Sequence, residues 1–153
     1  MKIVKDIMCM STPYGEIYTD DELNGTVVID DNKVSGILRK EGTAYLTFGK
    51  ITDETVELII SRDFDKELPK IYEGSFAGRS YYGNKSVITS FDKIPIEECY
   101  ITVFNPELYR NVEDDEMVKI EKAVEDRKKI MGEESSKLFE QYFNNHKTND
   151  YML

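Results

Sequence analysis

The feature that most limits what this chain can become is a period of two. From Thr26 to Phe104 apolar and polar residues alternate in short runs, and turn residues rather than helical stretches separate them. Successive side chains of a strand point to opposite sides, so this alternation marks strands that bury one face. Val56, Leu58 and Ile60 against Thr55, Glu57 and Ile59 show it most plainly. No helix-length segment, roughly 10–15 residues, lies between the runs. That excludes a parallel sheet with crossover helices and leaves an antiparallel meander.

The pattern predicts strands over Lys2–Met10, Thr26–Asp30, Lys33–Arg39, Ala44–Gly49, Thr55–Ser61, Ile71–Tyr82, Lys85–Phe91 and Glu98–Phe104. Asp31-Asn32 and Gly83-Asn84 are turn pairs, since these residues tolerate positive φ. Asp63–Lys70, charged and closed by Pro69, reads as a connecting loop. In Ile71–Tyr82 one face would carry Tyr72, Gly74, Phe76, Gly78, Ser80 and Tyr82, and glycine on such a face permits strong bending. About eight strands is the number at which a meander closes into a barrel that is filled by side chains or holds one small ligand. The expected fold is therefore mainly β (α+β), a closed or strongly curved barrel over residues 1–105.

After Asn105-Pro106 the period changes. Met117, Ile120, Val124 and Met131 form a helical stripe within Glu113–Met131, and Gly132 is placed to end it. A second helix is expected over Glu133–Asn145, within a helical segment spanning 107–145 that partly covers the barrel's open end. Residues 146–153 form a frayed tail. At 153 residues and 40% hydrophobic, the chain is expected to form one domain, 1–153.

Composition narrows function by exclusion. A net charge of −10 opposes direct binding to nucleic acid, whose affinity comes from Lys and Arg displacing counterions. No apolar run approaches the ~20 residues of a membrane-spanning helix. Cys9 and Cys99 lack C-x-x-C spacing, and with no signal peptide the expected compartment is the cytoplasm, with both as small core residues. His146 is the only histidine, so triads and zinc catalysis find no base or ligand set. Neither catalytic residues, a metal nor a cofactor is expected.

Three motifs resemble sites and fit better as structure. Asp20–Asp31 partly follows a calcium loop, with Asp20, Glu22, Asn24 and Gly25 at ligand and turn positions, but Asp31 replaces the closing Glu and a β-branched run follows Gly25. A strand-initiating Asn-Gly turn on an acidic loop is the simpler reading. Asp63-Phe64-Asp65 lacks the continuation of phosphotransferase or metal-holding motifs, and Gly74–Ser80 lacks the order of a phosphate loop.

Two groups of residues carry functional expectations. Tyr45, Phe48, Tyr72, Phe76, Tyr82, Tyr100 and Phe104 fall on strands and could line a barrel interior, with Ser80 as an orienting polar group. They suggest a non-enzymatic binding module for a small apolar or aromatic ligand. In architecture it resembles lipocalin-like proteins, although with no Trp the Gly-x-Trp pattern of that group is absent. Alternatively, Glu16, Asp20, Asp21, Glu22, Asp30 and Asp31 lie in a stretch free of Lys and Arg, and clustered in space they would attract a basic protein partner. Such a chain would be an interaction protein of the inhibitor, immunity or anti-defence type. A third reading, an enzyme, would need Arg79 beside a carboxylate of shifted pKa. Val118, Ala123 and Ile130, beside the helical stripe, raise the expectation of a homodimer.

Overall fold

Strand follows strand around a closed antiparallel barrel in chain order: β1 (Lys2–Pro13), β2 (Asp21–Asp30), β3 (Lys33–Lys40), β4 (Thr43–Ile51), β5 (Thr55–Ser61), β6 (Lys70–Ala77), β7 (Ser80–Ile88) and β8 (Lys93–Phe104). One helix, α1 (Asp114–Lys129), comes after them. The computed structural model describes residues 2–14, 21–62, 68–89, 92–105 and 114–129. The ring closes where β1 pairs with β8, from Asp6↔Phe104 to Pro13↔Glu97. Closure removes the sheet edges, which would otherwise offer unpaired backbone groups to other chains. No helix among the described residues is long and apolar enough to cross a membrane.

The expected meander is present, but several boundaries move. Residues 71–82 are not one strand. A turn at Gly78, whose φ is 81°, reverses the chain, so β6 ends at Ala77 and β7 begins at Ser80. Gly83-Asn84, expected as a turn, is paired inside β7 on both sides. Next, β2 begins at Asp21, and Asn24-Gly25 pairs with β1 and β3. Extended pairing through Asn24-Gly25 overturns both the calcium loop and the strand-initiating turn. Finally, β8 reaches back to Lys93, and its Pro95 is accommodated beside a bulge at Lys85/Ser86. Asp31-Asn32 is a turn as expected, with φ of 49° and 73°.

Alternation decides the interior. Ile7, Cys9, Val27, Leu38, Leu58, Tyr72 and Ile101 belong to one buried cluster that draws residues from every strand. Aliphatic side chains thus fill the middle of the barrel, each contributing ~1.5–3 kcal/mol by leaving water. Glycines on the inner face let neighbouring strands cross closely. A Cβ on Gly49 would collide with the carbonyl oxygen of Glu57, and one on Gly83 with that of Glu73.

The outer wall carries its own apolar stripe. Val28 and Leu46 lie on the alternation opposite the core yet are almost fully buried, and α1 packs against β2 and β3 there. Met117, Ile120, Ala123 and Val124 are buried or half-buried apolar residues of the helix, whereas Val118 is 65% exposed. Lys2 Nζ meets Glu121 at 2.9 Å, and Arg127 donates to the Ala44 carbonyl at 2.9 Å. Those two contacts belong to opposite ends of the barrel. Helix α1 therefore runs along the flank, correcting the expectation that it covers an open end. Met131, Ile130, the helix expected at Glu133–Asn145 and the tail 146–153 lie outside the described residues.

Candidate functional site

The barrel has two unlike ends. At the end where β4 turns into β5, Tyr81 is a buried member of the core and its hydroxyl donates to the Thr52 carbonyl at 2.7 Å. This bond spans from β7 across two strands to the β4–β5 turn. The Phe76 ring lies 5.1 Å from that of Tyr81, and the Phe76 amide donates to the Glu54 carbonyl at 2.7 Å. Thr52 Oγ accepts from the amides of Glu54 and Thr55, holding the turn in shape. Burial and then the Asp53 charge raise the Tyr81 hydroxyl above its ordinary pKa, so it stays a donor. These contacts close that end.

The opposite end is a cavity of about 230 Å³. Its apolar floor and walls are Leu23 from β2, Tyr45 from β4, Ile60 from β5 and Tyr72 from β6, with Leu68 beside them. Around these stand four cations, Lys40, Arg62, Lys70 and Lys85. Each falls on the inward alternation of its strand: Lys40 follows Val34 and Leu38, Arg62 follows Leu58 and Ile60, Lys70 precedes Tyr72, and Lys85 follows Tyr81 and Gly83. Inward positions toward this end of the barrel have therefore changed from aliphatic to basic.

Lys85 reaches deepest and is 5% exposed. Its ammonium sits 5.4 Å from the Tyr72 ring centroid, a cation–π arrangement. It lies 3.4 Å from Ser11 Oγ and 3.5 Å from Glu97 Oε2, both long for charge-assisted contacts. Two buried hydroxyls stand nearby in sequence register. Ser61 at the cavity and Thr47, two residues along β4 from Tyr45, have no hydrogen-bond partner among the described residues. An unsatisfied buried hydroxyl costs roughly 1–3 kcal/mol.

The aromatic residues expected to line the interior divide between the two faces. Tyr72 is in the core, Tyr45 packs against it, and Phe76 lies on the inner alternation at the closed end. Phe48, Ser80, Tyr82, Tyr100 and Phe104 lie on the opposite alternation, facing outward. For Ser80 and Tyr82 the reason is the reversal at Gly78, which flips parity relative to Tyr72. Ser80 bonds Thr102 Oγ at 2.7 Å, Tyr82 packs on Tyr100 at 6.0 Å, and the Tyr100 hydroxyl contacts Met10 Sδ at 3.0 Å. The four cations were missed, though Lys or Arg extending an inward alternation past the last aliphatic residue is a signal that the sequence carries.

The acidic positions are also spread. Asp21 and Glu22 open β2, while Asp30 ends it and Asp31 follows, roughly 25–30 Å away along the strand. Glu16 and Asp20 lie outside the described residues, as does Asp63-Phe64-Asp65. Arg79 is exposed in the turn between β6 and β7, at the closed end. Cys9 and Cys99 are buried free thiols on neighbouring strands. Burial raises both, Cys99 to about 12. Among the described residues no group of His, Cys, Asp or Glu is placed to hold a metal ion.

Fold and site together define a closed, eight-stranded up-and-down β-barrel with one aromatic, closed end and one cationic mouth. Comparison with protein-family models, with curated proteins and with solved structures finds no match for the chain.

Proposed function

We propose that this protein is a small-molecule binding barrel whose ligand enters the mouth between Tyr45 and Tyr72. The observation that carries this reading is the cavity of about 230 Å³ at one end of an otherwise filled barrel. Apolar and aromatic walls with a few convergent polar groups are the usual composition of a ligand pocket. Tyr45 is half-buried and Tyr72 fully so, which gives an aromatic ligand one wall to slide along and one to rest on.

The test is a titration with N-phenyl-1-naphthylamine, an uncharged arene whose fluorescence rises in an apolar site. Saturable binding of one equivalent is expected, weakened by Tyr45→Ala and unaffected by Phe48→Ala on the outer face of the same strand. No saturable signal, or equal loss in both variants, would overturn the reading.

A further inference from the structure

Resting on that reading, we infer that the ligand is an organic anion: an apolar or aromatic body carrying a carboxylate, sulfonate or phosphate that the mouth holds by its cations. In a chain of net charge −10, Lys40, Arg62, Lys70 and Lys85 converge on one cavity. A lysine needed only for solubility would occupy an outward position, where water solvates it fully. These four instead continue the inward alternation, and Lys85 is drawn down to 5% exposure. Burying an ammonium costs free energy unless charge compensates it. Within the protein Lys85 meets Glu97 Oε2 at 3.5 Å and Ser11 Oγ at 3.4 Å, and the cavity sets three further cations beside it.

The polar groups extend the same argument. Ser61 Oγ, buried at the cavity with no partner among the described residues, offers a donor to an anionic oxygen. Lys85 stands over the Tyr72 ring, so an acid group meeting its ammonium would bring an attached arene against Tyr72 and Tyr45. Anchor and wall are thus set for one amphipathic molecule.

Two probes sharing one arene separate this inference from the reading beneath it. Anilinonaphthalene sulfonate carries an anion that N-phenyl-1-naphthylamine lacks. The sulfonate is expected to bind about tenfold more tightly or better at low salt, as a charge-assisted hydrogen bond implies. In ~1 M salt that advantage shrinks for the exposed cations, whose fields are screened within a few ångströms. Lys85→Met and the double variant Arg62→Gln/Lys70→Gln, the latter at more solvent-accessible positions, should each cost the sulfonate about tenfold more than they cost the neutral probe. Arg79→Gln at the far end should alter neither.

Equal affinity for both probes, or equal loss in Arg79→Gln, would overturn the anion while the binding barrel stands. If neither probe binds, both fall. Competition by inorganic phosphate alone, as strong as that by the sulfonate, would remove the arene from the ligand and likewise overturn the inference.

Discussion

The two ends of this barrel use the same eight strands for opposite purposes. At the closed end Tyr81, Phe76 and the Thr52–Thr55 turn satisfy one another through hydrogen bonds and ring contact. At the mouth four cations line a cavity together with Tyr45, Tyr72, Leu23 and Ile60, and the buried hydroxyl of Ser61 has no partner among the described residues. The first arrangement stabilises; the second gathers positive charge and an unsatisfied hydroxyl at one opening. A barrel can carry such a site because its middle layer, filled by Val27, Leu38, Leu58 and Ile101, does not depend on either end.

That contrast can be broken first at the wall both ends share. Gly49→Val would drive a branched side chain into the Glu57 carbonyl and part β4 from β5, so loss of a cooperative melt is expected. Next comes the closed end. Tyr81→Ala should cost about 3–5 kcal/mol in denaturant unfolding, and Tyr81→Phe about 1 kcal/mol for the lost hydroxyl bond, with probe binding at the mouth retained. A Tyr81→Ala protein as stable as the parent would show that the phenol does not close this end.

The thiols between the ends give a pH dependence. Burial holds Cys99 up to about 12 against an ordinary 9.0, and Cys9 is raised as well. The unfolded chain therefore ionises first: stability is intact below pH 9 and declines as pH rises toward 12. Denaturant midpoints from pH 7 to 11 should show this slope, and a Cys9→Ala/Cys99→Ala double variant should flatten it. An unchanged slope would shift the cause to Tyr81. At the mouth, Lys85→Met should cost about 1 kcal/mol, because it removes a desolvated charge but also that charge's contacts to Glu97 and Ser11. The smallest effect belongs to Val118→Lys on the outer surface of α1, within about 0.5 kcal/mol by the same unfolding measurement.

Much of the fold was legible because alternation is a local property. Val56, Leu58 and Ile60 announce an inner face without reference to any other strand, and Met117, Ile120 and Val124 do the same for a helix. The turn at Gly78 was not legible in this way. Tyr72 through Tyr82 alternates acceptably as one strand, and only pairing of Ala77 with Ser80 shows where the chain reverses. That one misplaced turn put Ser80 and Tyr82 on the wrong face. The cations of the mouth were hidden for a different reason: Lys40, Arg62, Lys70 and Lys85 are separated by up to 45 positions, counted from their residue numbers, and each alone looks like a solvated strand end.

The sequence by itself determined the antiparallel meander, its number of strands and the apolar stripe of the helix, since periodicity and turn chemistry act over a few residues. Tertiary structure alone decided that the ring closes, that α1 lies along the β2–β3 flank, and that four distant cations meet over one cavity. Those outcomes depend on strand register and on which inward positions coincide around the barrel, and neither quantity exists until all eight strands are paired.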